Sequence, residues 1–496
     1  MISPRAETVT NGMTKPLIYW FRQDLRTRDL PGLHAAAQTG KPVIPIFVLD
    51  DEAAGSWRAG GASRWWLHHS LQALDSELRD LGGRLHTYKG STVDTLEALV
   101  KDSGADAIYC SQQFEPWSRT LEQNVHEHFS AKGLTVKRFP GTLLHQPESI
   151  STQAGQPFKV YTPFWRACNA ARPPAAPLPQ PEGAIWFSDA LTSAPLSELA
   201  LLPKSPDWAA DWHDYWTPGE IGANERAHLF LAGPAEHYGE GRDYAAKAYT
   251  SKLSAHLHHG EISVRTIWHM AEAQKDETPQ AAASIEKFQS ELGWREFCYH
   301  LLVHFPDIPE KPFKAPFASF PWASNETALN AWQRGQTGYP IVDAGMRELW
   351  QTGFMHNRVR MVVASFLTKH LLLHWRDGED WFWDTLVDAD LASNACSWQW
   401  VCGSGSDAAP YFRIFNPIAQ GEKFDKEGEY VRRWVPEIAA LPDKYLHKPW
   451  ETPPLLLQEA GITLGETYPL PIVDHKIARE SALAAYATIK GQPSGS

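Results

Sequence analysis

Between residues 16 and 140 the sequence alternates short apolar runs with longer amphipathic stretches. LIYWF (17–21), VIPIFVLD (43–50), RLHTYKG (84–90), AIYCS (107–111) and VKRF (136–139) have the length and the aromatic and β-branched content of strands. Segments such as SRWWLHHSLQALDSELRDLG, lying between them, have helical periodicity. This alternation leaves few folds open. Parallel strands need a long crossover, which a helix supplies, so the pattern predicts a parallel sheet flanked by helices. No GxGxxG follows the first strand, so an ordinary dinucleotide fingerprint is absent there. The near match from Gly403 to Ala408 follows no strand and reads as chance.

The pattern then changes. Residues 141–216 carry ARPPAAPLPQPEG and LLPKSPDW, whose prolines stiffen and extend a chain, and predict a long interdomain linker over the surface. From 217 to 496 helical periodicity dominates, clearest in PIVDAGMRELWQTG, HNRVRMVVASFLTKHLLLHW and EDWFWDTLVDADLASNACSWQW. The expected architecture is α/β plus all-α. Residues 1–15 read as a disordered leader, because they lack the apolar core of a signal peptide. No apolar run reaches the roughly 20 residues that span a bilayer. Five scattered cysteines without ligand spacing predict neither disulfides nor a metal site, and fit a reducing cytoplasm. The net charge of -12 disfavours nucleic acid as a partner unless a local basic groove exists. The 22 tryptophans admit packing, stacking and redox roles alike.

Four stretches could carry chemistry, and each has a plain alternative. On a helix, Glu291, Trp294, Arg295 and Cys298 share one face; they make either a pocket wall or a solvated stripe with a Glu–Arg pair. Asn357, Arg360 and Met361 share another. Arg358 and Arg360 stand at a helix start, where a cation is disfavoured, so each wants an anion, with Asp388 and Asp390 as candidates. The hydroxyls of TSKLS (250–254) suit either an anion site or an ordinary cap. If 385–402 is helical, Trp398 and Trp400 point to opposite sides, one inward and one toward a cavity, although core packing would explain either ring.

WREFCYHLL, TGYPIVDAGMRELWQTGFMHNRVRM, SNACSWQW, DAAPYFRIFNP and FRQDLRTRD occur in an order that resembles the photolyase/cryptochrome flavoproteins from about residue 16 onward. The details look like a bacterial cyclobutane pyrimidine dimer photolyase of class I or III, and RWWLHHSL and GQPFKVYTPFWRAC lean toward class III. The resemblance implies a Rossmann-like antenna domain, the linker and a helical FAD-binding domain. It also implies light-driven repair of a flipped-out dimer in DNA by an electron from reduced FAD, in a cytoplasmic monomer. By the same resemblance, Tyr238, Thr250, Ser251, Lys252, Leu253, Ser254, Arg360, Asp388, Asp390 and Asn394 hold FAD. Glu291, Trp294, Asn357, Met361 and Trp400 form the dimer pocket. Arg242, Arg295, Arg358, Arg413 and Gln420 face DNA. Trp398, Trp375 and Trp322 carry electrons outward. The expected antenna is 5,10-methenyltetrahydrofolate, although SQQFEP departs from the class I pattern. Lys252 stands where many members have arginine. Asn357 and Met361 differ from the histidines of 6-4 photolyases, and Trp400 from the tyrosine of DASH cryptochromes. The absence of a long C-terminal tail disfavours a signalling cryptochrome.

Overall fold

The computed structural model describes residues 14–409 and 411–490. Most of the predicted leader therefore lies outside the described residues. Five strands form a parallel sheet in the order β3-β2-β1-β4-β5. They are β1 (Leu17–Phe21), β2 (Val43–Leu49), β3 (His86–Lys89), β4 (Ala107–Ser111) and β5 (Thr135–Phe139). β1 is central, with Leu17 opposite both Val43 and Ala107. Its side chains alternate between two cores. Leu17, Tyr19 and Phe21 join the helix Gly61–Asp80 on one face, and Ile18 and Trp20 join Leu96, Val125 and Phe129 on the other. Burial on both faces is why β1, β2 and β4 read as continuous apolar runs.

The stretch 141–216 does more than span the surface. Trp186 pairs with Val43 and Ala194 with Thr87 in isolated bridges at the sheet, and Trp186 Nε1 donates to the Leu81 carbonyl at 2.7 Å. Its middle forms a helix, Tyr161–Ala170, that buries Phe164 and Cys168 against Phe297 and Leu301 of the long helix Ala282–His304. Proline content hid this helix, because its own prolines are few and its partner is distant in sequence.

The remaining chain is helical around a core that includes Trp332, Tyr339, Phe366 and Trp398. The predicted helix over 385–402 begins later. Asp390 ends an extended approach and accepts from the Ser393 N–H at 2.8 Å, so the helix runs Leu391–Cys402. Gly403 closes it at φ 98°, a left-handed cap that explains the glycine of the chance fingerprint. The two domains meet across a tryptophan-rich seam of Trp65, Trp66, Trp212 and Trp216, which gives several of the 22 tryptophans a packing role. Gly260 ends the helix Ser254–His259 at φ 70° beside the Gln23 carbonyl; a Cβ there would stand 2.1 Å from that oxygen.

Candidate active site

Helix starts and one extended turn of the helical domain bring the charged candidates together. Arg360 Nη2 reaches both carboxylate oxygens of Asp388, at 3.0 and 2.9 Å, while its Nε donates to the Met355 carbonyl at 2.7 Å. Ser254 Oγ donates to Asp388 Oδ2 at 2.6 Å. The hydroxyl of Ser254 is thus spent on Asp388 rather than on a helix cap, and Leu253 makes no side-chain cap either. Arg358, the other arginine at that helix start, pairs instead with Asp243 at 2.7 Å and lies over the Phe424 ring.

Asp390 accepts from the Tyr299 hydroxyl and from its own helix. Burial alone would raise its carboxyl, but the nearby His258 imidazole, Arg295 and the Tyr299 hydroxyl hold it well below the usual carboxylate range. Asn394 donates its amide to the Glu379 carbonyl at 3.0 Å, which leaves a neutral carbonyl oxygen to offer. Lys252 takes φ 52° and holds its ammonium over Trp216 and Phe354, at 5.9 and 5.5 Å, and burial lowers its pKa. Thr250 and Ser251 are half-buried. Tyr238 is buried with Arg242 over its ring, and Leu253 is buried in the same core.

These residues fit a flavin dinucleotide. Lys252 and Ser254 are solvent-accessible although Leu253 and residues 255–260 are buried, so the motif lines an opening in the interior. His356 Nε2, Arg358 Nε and Gln420 Oε1 are buried without a partner among the described residues. Buried polar atoms need partners, and a polar ligand supplies them.

The residues expected to meet the dimer lie on three segments of the helical domain, the walls of the expected mouth. On one wall, Glu291 pairs with Arg242 and with Lys287, the latter at 3.0 Å, and Trp294 stands half-buried beside them. On the second, Asn357 is exposed and Met361 half-buried, and Gln420 with its orphaned oxygen lies on the neighbouring helix Pro417–Phe424. On the third, Arg413 stacks over Trp400 at 5.6 Å and Tyr411 at 5.3 Å. Arg295 does not join the mouth. Its side chain, 12% exposed, lies over Tyr299 and donates to the Thr142 carbonyl at 2.9 Å, and Cys298 is buried near it. The predicted single stripe therefore divides, because the interdomain seam packs against one half of it.

Trp398 is 2% exposed and meets Phe382 at 5.0 Å and Trp332 at 6.2 Å. Trp375 is 1% exposed and stacks on His374, which meets the half-exposed Trp322 at 5.2 Å. Of the three tryptophans expected to carry electrons, Trp398 and Trp375 are buried and Trp322 is half-exposed, with His374 between Trp375 and Trp322. Sequence reasoning missed His374, Asp243 and Tyr161, all of which act through partners remote along the chain. A second polar hollow opens at the carboxyl ends of β1 and β2, lined in part by Trp20, Arg22, Thr92, Gln113 and Glu115. Trp20 Nε1, Arg22 Nε, Thr92 Oγ1 and Gln113 Nε2 are orphaned there, a setting suited to another bound group.

The Arg360–Asp388 pair, the half-buried Trp294 and Trp400 and the buried Trp398 and Trp375 all lie in one helical domain. Residues 17–182 match the DNA photolyase family and residues 288–488 match the FAD binding domain of DNA photolyase. The deoxyribodipyrimidine photo-lyase of Agrobacterium fabrum is 52% identical over 477 residues, covering 96% of this chain and 98% of that protein. Cryptochrome-1 of Arabidopsis thaliana is 40% identical, covering 92% of this chain and 68% of that protein. A bacterial class III photolyase structure from Agrobacterium tumefaciens, 50% identical, superposes with a TM-score of 0.94 over 98% of this chain and all (100%) of that one. The chain belongs to the photolyase/cryptochrome family.

Proposed function

We propose that the protein is a deoxyribodipyrimidine photo-lyase that repairs cyclobutane pyrimidine dimers in DNA under blue light. The observation that carries this reading is the Arg360–Asp388 pair with Ser254 bound to the same carboxylate, in a chain 52% identical to a deoxyribodipyrimidine photo-lyase. We assign Glu291, Trp294, Met361, Asn357 and Trp400 to the walls of an opening above that floor. Bound FAD, when reduced and excited, supplies the electron that splits the dimer. The chain's own residues bind and orient. The basic rim of Arg242, Arg358 and Arg413 meets backbone phosphates and fixes the strand. A dimer is out of reach inside the stack, so it must leave the duplex to reach the floor. Trp294 and Trp400 present flat apolar surface to it, and the Glu291 carboxylate accepts from a pyrimidine N–H. Asn394 offers a neutral carbonyl, which suits a reduced flavin bearing a proton at its central ring.

Reduced protein mixed with dimer-containing DNA under blue light will remove the dimers. Dimers that persist while the flavin photoreduces normally would instead favour a cryptochrome-type receptor. The polar hollow at the sheet is the proposed antenna site, with 5,10-methenyltetrahydrofolate as its occupant; a folate band in the absorption spectrum of the purified protein tests this. No helix among the described residues is long and apolar enough to cross a membrane. We place the protein in the cytoplasm as a monomer, and light scattering at micromolar concentration checks the second point.

A further inference from the structure

Trp294 is held from outside its own helix. The ring of Tyr161 lies flat against it, with centroids 3.8 Å apart and planes within 9°. Trp165 continues the stack 6.4 Å beyond Tyr161 at 11°. The Tyr161 hydroxyl donates to the carbonyl of Ser290, the residue before Glu291. Its backbone N–H donates to Asp407 Oδ2 at 3.1 Å, and Ser406 Oγ donates to the Lys159 carbonyl at 2.6 Å. Ser406 and Asp407 leave the helix that carries Trp400, and the Gly405 N–H anchors that exit on the Gln399 carbonyl at 2.9 Å. One linker residue therefore grips both aromatic walls of the mouth, by its ring and hydroxyl on one side and by its backbone on the other.

We propose that Tyr161 is a positioning residue for dimer binding: its ring fixes Trp294, and its backbone ties that wall to the Trp400 wall. This deepens the photo-lyase reading and rests on it. The physical reason is preorganisation. Trp294 is half-buried beside an opening, so its side chain would otherwise sample several rotamers. Binding would then have to order the indole, whereas a stacked neighbour has ordered it in advance. A stacked aromatic pair contributes about 0.5–1.5 kcal/mol beyond its area, and removal of the stack removes that restraint.

The test uses the FAD-loaded protein and a dimer-containing oligonucleotide, with binding measured in the dark. Tyr161→Ala will weaken the dissociation constant roughly 2- to 10-fold, the factor that the stacking energy converts to. Tyr161→Phe keeps the ring and will bind as wild type does. Repair per absorbed photon at saturating DNA, and photoreduction through the tryptophan series, will be unchanged in both variants. Wild-type affinity in Tyr161→Ala overturns the proposal. So does an equal loss in Tyr161→Phe, which would assign the effect to the hydroxyl, or a parallel loss of photoreduction, which would mark a general packing role. A wild-type protein with no preference for dimer over undamaged DNA would remove the photo-lyase reading itself, and this inference with it.

Discussion

Two tryptophans two positions apart stand in different surroundings, and the reason is rotation about one helix. Residues two apart on a helix point roughly 200° from each other. Trp398 is accordingly sealed among Phe382 and Trp332, and Trp400 stands half-buried under Arg413. Among the described residues the N–H of Trp398 has no partner, and packing holds the ring. Gly378 makes room for it, since a Cβ there would come within 2.0 Å of the indole. Trp398→Phe will stop photoreduction of the oxidised flavin, followed by absorbance under illumination. Repair by enzyme reduced beforehand will stay within a factor of about two, equivalent to about 0.4 kcal/mol, because the proposed step through Trp398 is then bypassed chemically. Equal loss of both activities would place Trp398 in the substrate site or in the fold.

At the scale of elements, the helix Ala282–His304 does two jobs with two halves of its surface. Glu291 and Trp294 look into the mouth. Glu296 looks into the seam, where it accepts the N–H groups of Leu144 and His145 at 3.0 Å each. Burial pushes the Glu296 carboxyl up to about 7, against the pull of Arg295 and those two N–H groups. The folded state thus binds a proton that the unfolded chain releases near its ordinary value of 4.5. Stability from this group is fully present below pH 4.5 and is lost as pH rises through about 7. Glu296→Gln cannot ionise. Unfolding measured in urea at pH 5 and pH 8 will therefore show the variant gaining on wild type as pH rises, by about 3 kcal/mol at most. A difference that does not move with pH would show that the carboxyl ionises normally in the seam.

Across the whole molecule, a chain of net charge -12 binds a polyanion only if its positive charge is concentrated. Three arginines are the candidates for it, of which Arg242 and Arg358 each face a carboxylate. Arg242, Arg358 and Arg413 border one mouth, while Asp388 and Asp390 lie below the rim, where Arg360 and His258 stand beside them. Among the described residues Arg413 has no carboxylate partner, unlike Arg242 and Arg358, and leans on Trp400 and Tyr411. It is therefore the rim arginine most ready to meet a phosphate. Arg413→Ala will weaken binding to damaged and undamaged DNA alike and will flatten the plot of log affinity against log salt by about 0.9. A wild-type slope in the variant would remove Arg413 from the phosphate contacts.

The sequence by itself determined the elements whose cause is local. β1, β2 and β4 were legible because burial on both faces forces continuous apolar runs, and the helix of Trp398 and Trp400 because its period persists through Cys402. That Arg360 meets a carboxylate was legible because a cation is disfavoured at a helix start; the choice of Asp388 over Asp390 came from the family resemblance. The start of that later helix was not legible, since the cap at Asp390 outweighs the propensity of the residues before it. The tertiary structure alone decided which half of the Glu291–Cys298 stripe faces outward. Periodicity gives an angle around a helix axis but not the direction of the neighbouring domain. Tyr161 belongs to the same class: its stack on Trp294 joins the linker to the helical domain, and no local pattern encodes a contact between segments so far apart.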